Sequence, residues 1–332
     1  MTSKRELARL AADRPLLTRE IHPFNAYYGH DWILKRYAGR PETSVLGASV
    51  EHGLTLEDTI SDLDRRLLLP TYLTFGSRRA RILEHALAGV ETIPIGPMIR
   101  YASALHAPAS EDGVRRLLLL PAHSAQTSVT EFDADAFVAA VRDYGAAFDE
   151  TVVCLYWKDV LLGRADVYRR HGLRCVTVGH MYDRRFLFRL LDLLRAATAV
   201  ATNEVGTHVA YAVVTDRPAW IVRQRVDYRH TRGTARDQFA ATQAFRNEPP
   251  ELVSTFERLF AEPGLHVSEA QRQFVAELAG VAHLRSPDDL RAILARAEER
   301  YVESVPRRRR ARHRATATVR AWRSRLRIPR PD

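Results

Sequence analysis

Between Val114 and Val222 the sequence alternates five short apolar runs with stretches of helical spacing. The apolar runs are continuous rather than alternating with polar residues, which is typical of parallel strands that are buried on both faces. Helical stretches of about a dozen residues separate them, as expected for crossovers between parallel strands. This pattern predicts a doubly wound α/β domain. The runs are RRLLLLPAHS, TVVCLYW, LRCVTVGH, AVATNE and RPAWIV.

The rest of the chain divides by pattern into a smaller α/β domain, a helical region and a tail. Less regular strand and helix patterns, such as ETSVLGASVEHG and RARILEHALAG, precede the doubly wound domain. A polar stretch after Val222 predicts a long loop with a short helix, and helical patterns come after it. In these patterns Ser268 with Gln271 fits a capping box, and Ser286 before Pro287 fits a helix start. The predicted parts are residues 1–110, 111–250, 251–305 and 306–332.

The chain carries a formal net charge of +10, and its C-terminal tail accounts for all of it. Residues 307–332 contain eleven arginines and one aspartate, so residues 1–306 have no net charge. Three roles fit this tail: a solvated segment, binding to anionic lipid, or binding to nucleic-acid phosphates. For the lipid role, the tail offers an apolar strip of Val319, Trp322, Leu326 and Ile328.

The sequence predicts a cytoplasmic protein. The N-terminal segment MTSKRELARLAADRP lacks the apolar core of a signal peptide. No stretch approaches the roughly 20 apolar residues of a membrane span. Cys154 and Cys175 each lie in an apolar run and are predicted to be reduced thiols of the core.

Polar side chains collect where the predicted strands end. In open parallel α/β sheets, ligands bind at the carboxyl ends of the strands. His123 and His180 each follow such a strand, and each fits either a contact with a nucleotide or a structural cap. The candidate ligand-binding residues of the larger domain are His123, Ser124, His180, Thr202, Glu204, Gly206, Thr207 and His208.

The stretch TNEVGTH joins the fourth apolar run to a helix of small residues. A helix N-terminus offers free backbone N–H groups and the positive end of the helix dipole, so it binds anions. Gly206 allows the backbone to approach a ligand closely, and Thr207 adds a hydroxyl donor. Together these features suit a phosphate. The alternative is that Thr202 or Asn203 only caps the helix. The stretch matches neither a Walker loop nor a GxGxxG motif.

In the smaller domain, Glu51, His52 and Gly53 close a predicted strand. A neutral imidazole at such a position is suited to act as a general base on a hydroxyl, since its pKa lies near working pH. Glu51 is the alternative base, or the group that orients His52. The other interpretation is a turn, in which Gly53 adopts a positive φ angle.

Several of these stretches resemble motifs of the GT-B glycosyltransferases. TNEVGTHVAYAVVTDRPAWIV resembles their donor-site motif, in which a Thr/Ser-rich turn and a helix precede an Arg-Pro or Lys-Pro pair and an apolar strand. EHGLTL resembles the His-Gly motif of capsular polysaccharide transferases, bacterial polysialyltransferases and teichoic-acid glycerophosphotransferases. LEHALAGVETIPIGPMIRYA is similar to the domain junction of those enzymes. The resemblance covers roughly residues 45–225.

The resemblance implies two Rossmann-like domains that face a cleft, and an inverting, metal-independent transferase. The donor would be a sugar activated by CMP, CDP or UDP, bound as substrate without a cofactor. The acceptor would be a cell-surface glycan or glycolipid. Thr207 and its neighbours would bind donor phosphate, and His123 and His180 would line the donor pocket. Because such acceptors are membrane-bound, Arg307–Arg330 would contact an anionic membrane surface. The protein would then be peripheral at the inner face of the cell membrane. No specific nucleic acid would be a partner.

His52 or Glu51 would be the catalytic base in this scheme. The sequence departs from the family at both motifs, since residues 54–56 are Leu-Thr-Leu and residues 205–207 are Val-Gly-Thr in place of a Ser-Ser pair. Two other functions stay open. One is a nucleotide-sugar 2-epimerase of the same fold, which needs no polymer acceptor. The other is a non-catalytic binding module that uses its basic tail on lipid or nucleic acid.

Overall fold

A computed structural model describes residues 3–58, 60, 69–107, 112–125, 128–230, 251–306 and 310. The chain divides into two compact units. The five-stranded unit comprises the described residues within Met1–Asp13, Pro108–His180 and Arg189–Val275. The three-stranded unit comprises those within Arg14–Ala107, Met181–Phe188 and Ala276–Asp332. The predicted basic tail, apart from Arg310, lies outside the described residues.

Helices and short strands alternate along most of the described chain. The strands are β1 (Ala48–Val50), β2 (Thr71–Thr74), β3 (Glu91–Pro94), β4 (Arg116–Leu119), β5 (Ser128–Glu131), β6 (Glu150–Cys154), β7 (Arg174–Val176), β8 (Ala199–Thr202), β9 (Ala219–Ile221) and β10 (Asp227–His230). The α-helices are α1 (Lys4–Ala11), α2 (His30–Tyr37), α3 (Ser77–Ala86), α4 (Met98–Leu105), α5 (Ala134–Gly145), α6 (Trp157–Leu161), α7 (Ala165–Arg170), α8 (Phe186–Ala196), α9 (Thr207–Val214), α10 (Glu251–Leu259), α11 (Glu269–Leu278) and α12 (Pro287–Ser304). Short 3₁₀ helices span Pro23–Gly29 and Val281–His283.

The three-stranded unit is built on a parallel sheet of order β1-β2-β3. Helix α12 packs against the entry to β1 so closely that a Cβ on Gly47 would lie 2.6 Å from the carbonyl oxygen of Ala297. Tyr301 of α12 and Val305 form a buried cluster with Leu69, which precedes β2. The last helix is therefore part of this unit's core.

The five-stranded unit is built on a parallel sheet of order β7-β6-β4-β8-β9. The chain starts at the central strand β4, adds β6 and β7 on one side, and then crosses to add β8 and β9 on the other. The strand order therefore reverses between β4 and β8, which is the topological switch point of a doubly wound sheet. Apolar side chains of the strands pack with those of α5 and α7 in one core, including Leu117, Leu119, Phe137, Val153 and Tyr168.

The predicted α/β class with parallel sheets is confirmed. The predicted capping box is also present, since the Gln271 N–H donates to Ser268 Oγ at 3.2 Å and the Ser268 N–H donates to Gln271 Oε1 at 2.9 Å. Ser286 caps α12 by accepting from the Asp289 N–H at 3.1 Å. Both cysteines are buried free thiols. Among the described residues, no helix has the length and apolar character needed to cross a membrane.

The two units divide the chain differently from the predicted boundaries. Helix α1 belongs to the five-stranded unit, because Leu7 lies in that unit's core and the Leu10 carbonyl accepts from the His180 N–H at 3.1 Å. The C-terminal helices do not form one region of their own. Helix α10 belongs with β9, where the Ile221 N–H donates to the Phe260 carbonyl at 2.8 Å, whereas α12 belongs to the three-stranded unit.

Candidate functional site

The switch point of the five-stranded sheet brings together two side chains from strands that are not neighbours in sequence. His123 follows β4 and Glu204 follows β8, and His123 Nδ1 lies 3.3 Å from Glu204 Oε2. The His123 side chain is 38% exposed and that of Glu204 is 19% exposed. The imidazole is therefore fixed by a carboxylate on one side and still reaches solvent on the other.

The pair favours a charged imidazolium. Burial opposes the charge on His123, but the hydrogen-bonding geometry and charge of Glu204, together with the charge of Asp159, outweigh it and raise the pKa of His123 above its ordinary value. Burial also opposes the Glu204 carboxylate, yet His123 and Tyr228 lower the pKa of Glu204 overall. The pair thus favours a cation at a position where parallel α/β sheets bind ligands.

Neighbouring loops hold His123 in place. Its ring packs edge-on against that of Tyr156, which follows β6, with centroids 4.6 Å apart. Its carbonyl oxygen accepts from the Thr130 hydroxyl of β5 at 2.6 Å. The Tyr228 hydroxyl of β10 donates to Glu204 Oε1. The backbone of His123 and the side chain of Glu204 are therefore both hydrogen-bonded to the two-stranded ribbon that β5 and β10 form.

That ribbon was not foreseen in the sequence. Strands β5 and β10 pair antiparallel, with Thr130 opposite Tyr228. The sequence pattern after Val222 predicted a polar loop, and the residues of β10 lack the apolar run that marks a buried strand. Its pairing partner lies nearly a hundred residues earlier in the chain, so no local signal identifies Tyr228 as a partner of Glu204.

The N-terminus of α9 lies on the same loop as Glu204 and is capped by glycine. The N-cap of α9 is Gly206, and no side chain caps the helix there. The alternative that Thr202 or Asn203 caps it is wrong, because both are used elsewhere. Asn203 Oδ1 accepts from the Ala122 N–H at 2.7 Å, and Thr202 Oγ1 lies 3.0 Å from His208 Nε2. The backbone N–H groups that begin at Thr207 are the donors that an anion needs.

His208 lies beside this helix start as a neutral imidazole. Burial lowers the pKa of His208 to about 4, an effect that the nearby Glu204 only partly offsets. A Cβ added to Gly206 would lie 3.1 Å from the His208 ring, so glycine leaves room for that ring. The side chain of His208 is thus fixed against Thr202 and is available as a neutral donor or acceptor.

Two of the residues predicted to contact a ligand are fully buried. Ser124 is fully buried, its N–H donates to Asp159 Oδ2 at 3.0 Å, and its hydroxyl accepts from the Thr130 N–H at 3.1 Å. His180 is also fully buried, and its ring packs at a tilt of 42° against that of Trp157, with centroids 4.1 Å apart. Buried rings and hydroxyls of this kind hold loops together, so neither side chain is open to a ligand in this structure.

In the three-stranded unit, the two candidate bases differ sharply in exposure. Glu51 is buried and accepts from the Phe75 N–H at 2.8 Å and the Thr55 N–H at 3.3 Å, and burial raises its pKa. His52, the next residue, is exposed. Glu51 therefore anchors the end of β1, and His52 is the side chain that can meet a substrate.

Comparisons with known proteins add little to this geometry. No protein-family model matches the chain, and no curated protein matches it. A sucrose-phosphate synthase from Thermosynechococcus elongatus is similar over 84% of this chain and 73% of its own, with 12% identity and a TM-score of 0.32. A glycosyltransferase from Rickettsia africae is similar over 79% of this chain and 66% of its own, with 8% identity and a TM-score of 0.30. Likenesses this weak carry no argument about function.

Proposed function

We propose that the protein is a glycosyltransferase of the GT-B type that binds a nucleotide-activated sugar at the switch point of its five-stranded sheet. The observation that carries this proposal is the His123–Glu204 pair, which favours a protonated imidazole and in which Glu204 lies on the loop that leads into the glycine-capped N-terminus of α9. A cation and a row of backbone N–H groups together suit a phosphate or diphosphate.

The same groups suit the chemistry of the leaving group. In the proposed reaction an acceptor hydroxyl oxygen attacks the anomeric carbon of the sugar, and the bond from that carbon to the phosphate oxygen breaks. The nucleotide leaves with increased negative charge on its phosphate. His123 and the N-terminus of α9 would stabilise that charge, since preorganised donors act where charge develops.

We assign the proton acceptor to His52 of the three-stranded unit. His52 is exposed at the carboxyl end of β1, whereas the carboxylate of Glu51 is occupied by backbone N–H groups. The proton of the acceptor hydroxyl would pass to the imidazole of His52 as the new glycosidic bond forms.

The proposal is tested by thermal unfolding with CMP, CDP, UDP, GDP and ADP, and with NAD as control. A ligand that binds only the folded protein raises its unfolding temperature. We expect stabilisation by one nucleotide, a smaller shift in His123→Asn, and an unchanged shift in His171→Asn. His171 is a matched control because its Nε2 lies 2.6 Å from Asp135 on the surface of the same unit. The absence of any nucleotide effect in folded protein would favour a non-catalytic binding module.

We also propose, from sequence alone, that Arg307–Arg330 binds an anionic membrane surface. The arginines would contact lipid phosphates while the interspersed apolar side chains enter the interface. Co-sedimentation of the full chain and of residues 1–306 with vesicles containing phosphatidylserine tests this. Equal sedimentation of the two proteins would contradict it.

A further inference from the structure

Around His52 the three-stranded unit presents three aromatic rings to which the function proposed above gives no role. We call Phe24, Tyr27, His52 and Tyr182 the ring group. The centroid of the His52 ring lies 5.3 Å from that of Phe24 and 5.9 Å from that of Tyr27. Tyr27 in turn lies 4.7 Å from Phe24 and 5.3 Å from Tyr182. His52 is exposed and the other three rings are partly exposed, so the group forms a surface rather than a core.

The backbone under the ring group adopts a conformation that is uncommon for residues with a Cβ. Tyr28 has a φ of 58°, in the left-handed region, and Gly29 follows with a φ of 77°. The Tyr28 N–H donates to the Met181 carbonyl at 2.7 Å. A Cβ on Gly29 would lie 2.3 Å from the carbonyl oxygen of Arg184. Such backbone persists where surrounding contacts impose it, and it concentrates at binding sites.

A buried polar network fixes the same segment to the sheet. Asn25 Nδ2 donates to the Ala48 carbonyl at 2.8 Å, and Asn25 Oδ1 accepts from the Val50 N–H at 2.9 Å. Glu20 accepts from Lys35 Nζ at 2.5 Å and from Asn25 Nδ2 at 3.3 Å. The segment that carries Phe24 and Tyr27 is thus fixed at the carboxyl end of β1, and binding a ligand there would require little ordering of its backbone.

We propose that the ring group binds a pyranose ring of the acceptor, so that the acceptor is a glycan and its terminal sugar rests on Phe24 and Tyr27 beside His52. The C–H face of a pyranose packs against aromatic rings, while its hydroxyls hydrogen-bond with imidazole and phenol groups. The four ring pairs in contact are tilted by 40° to 81°, so none of these pairs offers two parallel faces to a flat nucleobase. The identification of this sugar as the acceptor rests on the proposed function. Binding of the sugar to the rings does not itself require a bound donor.

The test is saturation-transfer NMR on the full chain with the methyl glycosides of glucose, galactose, mannose and N-acetylglucosamine, without nucleotide. We expect saturation transfer to the ring protons of at least one glycoside, and a loss of roughly fivefold or more in affinity in Tyr27→Leu. Tyr27→Phe keeps the ring and should retain most of the affinity. Tyr37→Leu is the matched control, since Tyr37 is a partly exposed aromatic of the same unit that packs on Tyr101 outside the ring group.

The outcomes separate this inference from the proposed function. If no glycoside at millimolar concentration shows saturation transfer while the protein still binds a nucleotide, the sugar site is overturned and the proposed donor site is unaffected. Sugar binding that Tyr27→Leu abolishes, in protein that binds no nucleotide, supports the sugar site and contradicts the transferase. Binding that survives both Tyr27→Leu and Phe24→Leu, with each variant folded by thermal unfolding, also overturns it. Transfer to cytidine or uridine that Tyr27→Leu abolishes, with none to the glycosides, would assign the rings to a nucleobase instead.

Discussion

Replacing Lys35 by methionine should destabilise the three-stranded unit strongly. The Lys35 side chain is 3% exposed and that of its partner Glu20 is 1% exposed, with 2.5 Å between Nζ and Oε1. Asp31, one helical turn before Lys35, lies 3.2 Å from the same ammonium. The variant therefore leaves one fully buried carboxylate and one partly buried carboxylate without their cation.

The size of the effect follows from two opposing contributions. At an effective dielectric constant of about 20, charges 2.5 Å apart attract by roughly 7 kcal/mol. Removing the ammonium also removes its own desolvation cost of several kcal/mol, so breaking a buried pair costs about 3–5 kcal/mol. Burial already raises the pKa of Glu20 and of Asp31, and Lys35 is the group that lowers both. In the variant these carboxyls take up protons more readily, so the cost should shrink as the pH falls from about 8 to about 5.

Urea unfolding followed by circular dichroism measures this cost, and hydrogen exchange of residues 20–50 locates it. Glu42→Gln is the control, because the Arg184–Glu42 pair is exposed by 65% and 54% and should contribute no more than about 1 kcal/mol. The double variant Glu20→Gln/Lys35→Met should recover a large part of the loss, since an amide can still accept the remaining hydrogen bonds. A change below about 1 kcal/mol for Lys35→Met near pH 8 would refute the reasoning.

Four further predictions follow from the same structure. Nucleotide affinity should fall as the pH rises above 6.5 and passes the raised pKa of His123, because the imidazolium is lost; titration calorimetry across this range measures it. Glu204→Gln should lower the pKa of His123 and move this loss to lower pH, and an NMR titration of the imidazole that finds no change would contradict the pairing. Thr207→Ala should weaken nucleotide binding roughly threefold to tenfold in protein that remains folded. Gly29→Ala should lower the unfolding free energy by at least about 2 kcal/mol in denaturant unfolding, since a left-handed backbone and a blocked Cβ position combine.

The sequence predicts those parts of the fold that depend on local signals. Continuous apolar runs identified the buried strands, and Ser268 and Ser286 marked helix starts that their hydroxyls do cap. The ribbon of β5 and β10 was missed because its pairing is long-range and its residues are polar. The placement of α1 was also missed, because it depends on Leu7 entering a core made by residues more than a hundred positions away.

The candidate site, too, was predicted from the sequence only in part. The sequence placed His123 and Glu204 at one edge of the sheet, as the structure does, because both follow parallel strands and the carboxyl ends of parallel strands meet at the same edge. Sequence could not separate exposed residues from buried ones at those positions, so His180 and Glu51 were indistinguishable from His123 and His52. The ring group was missed because Phe24, Tyr27, His52 and Tyr182 come from three separate segments with no shared periodicity.

The most direct test of the central claim is NMR of ¹³C-labelled histidine during titration with the nucleotide that stabilises the protein. Assigned through the His123→Asn variant, the imidazole resonance of His123 should shift on binding, and the pKa of His123 should rise further because a bound phosphate favours the charged form. The resonance of His171 should stay unchanged. Nucleotide binding that leaves the resonance and the pKa of His123 untouched would contradict a phosphate site at the switch point.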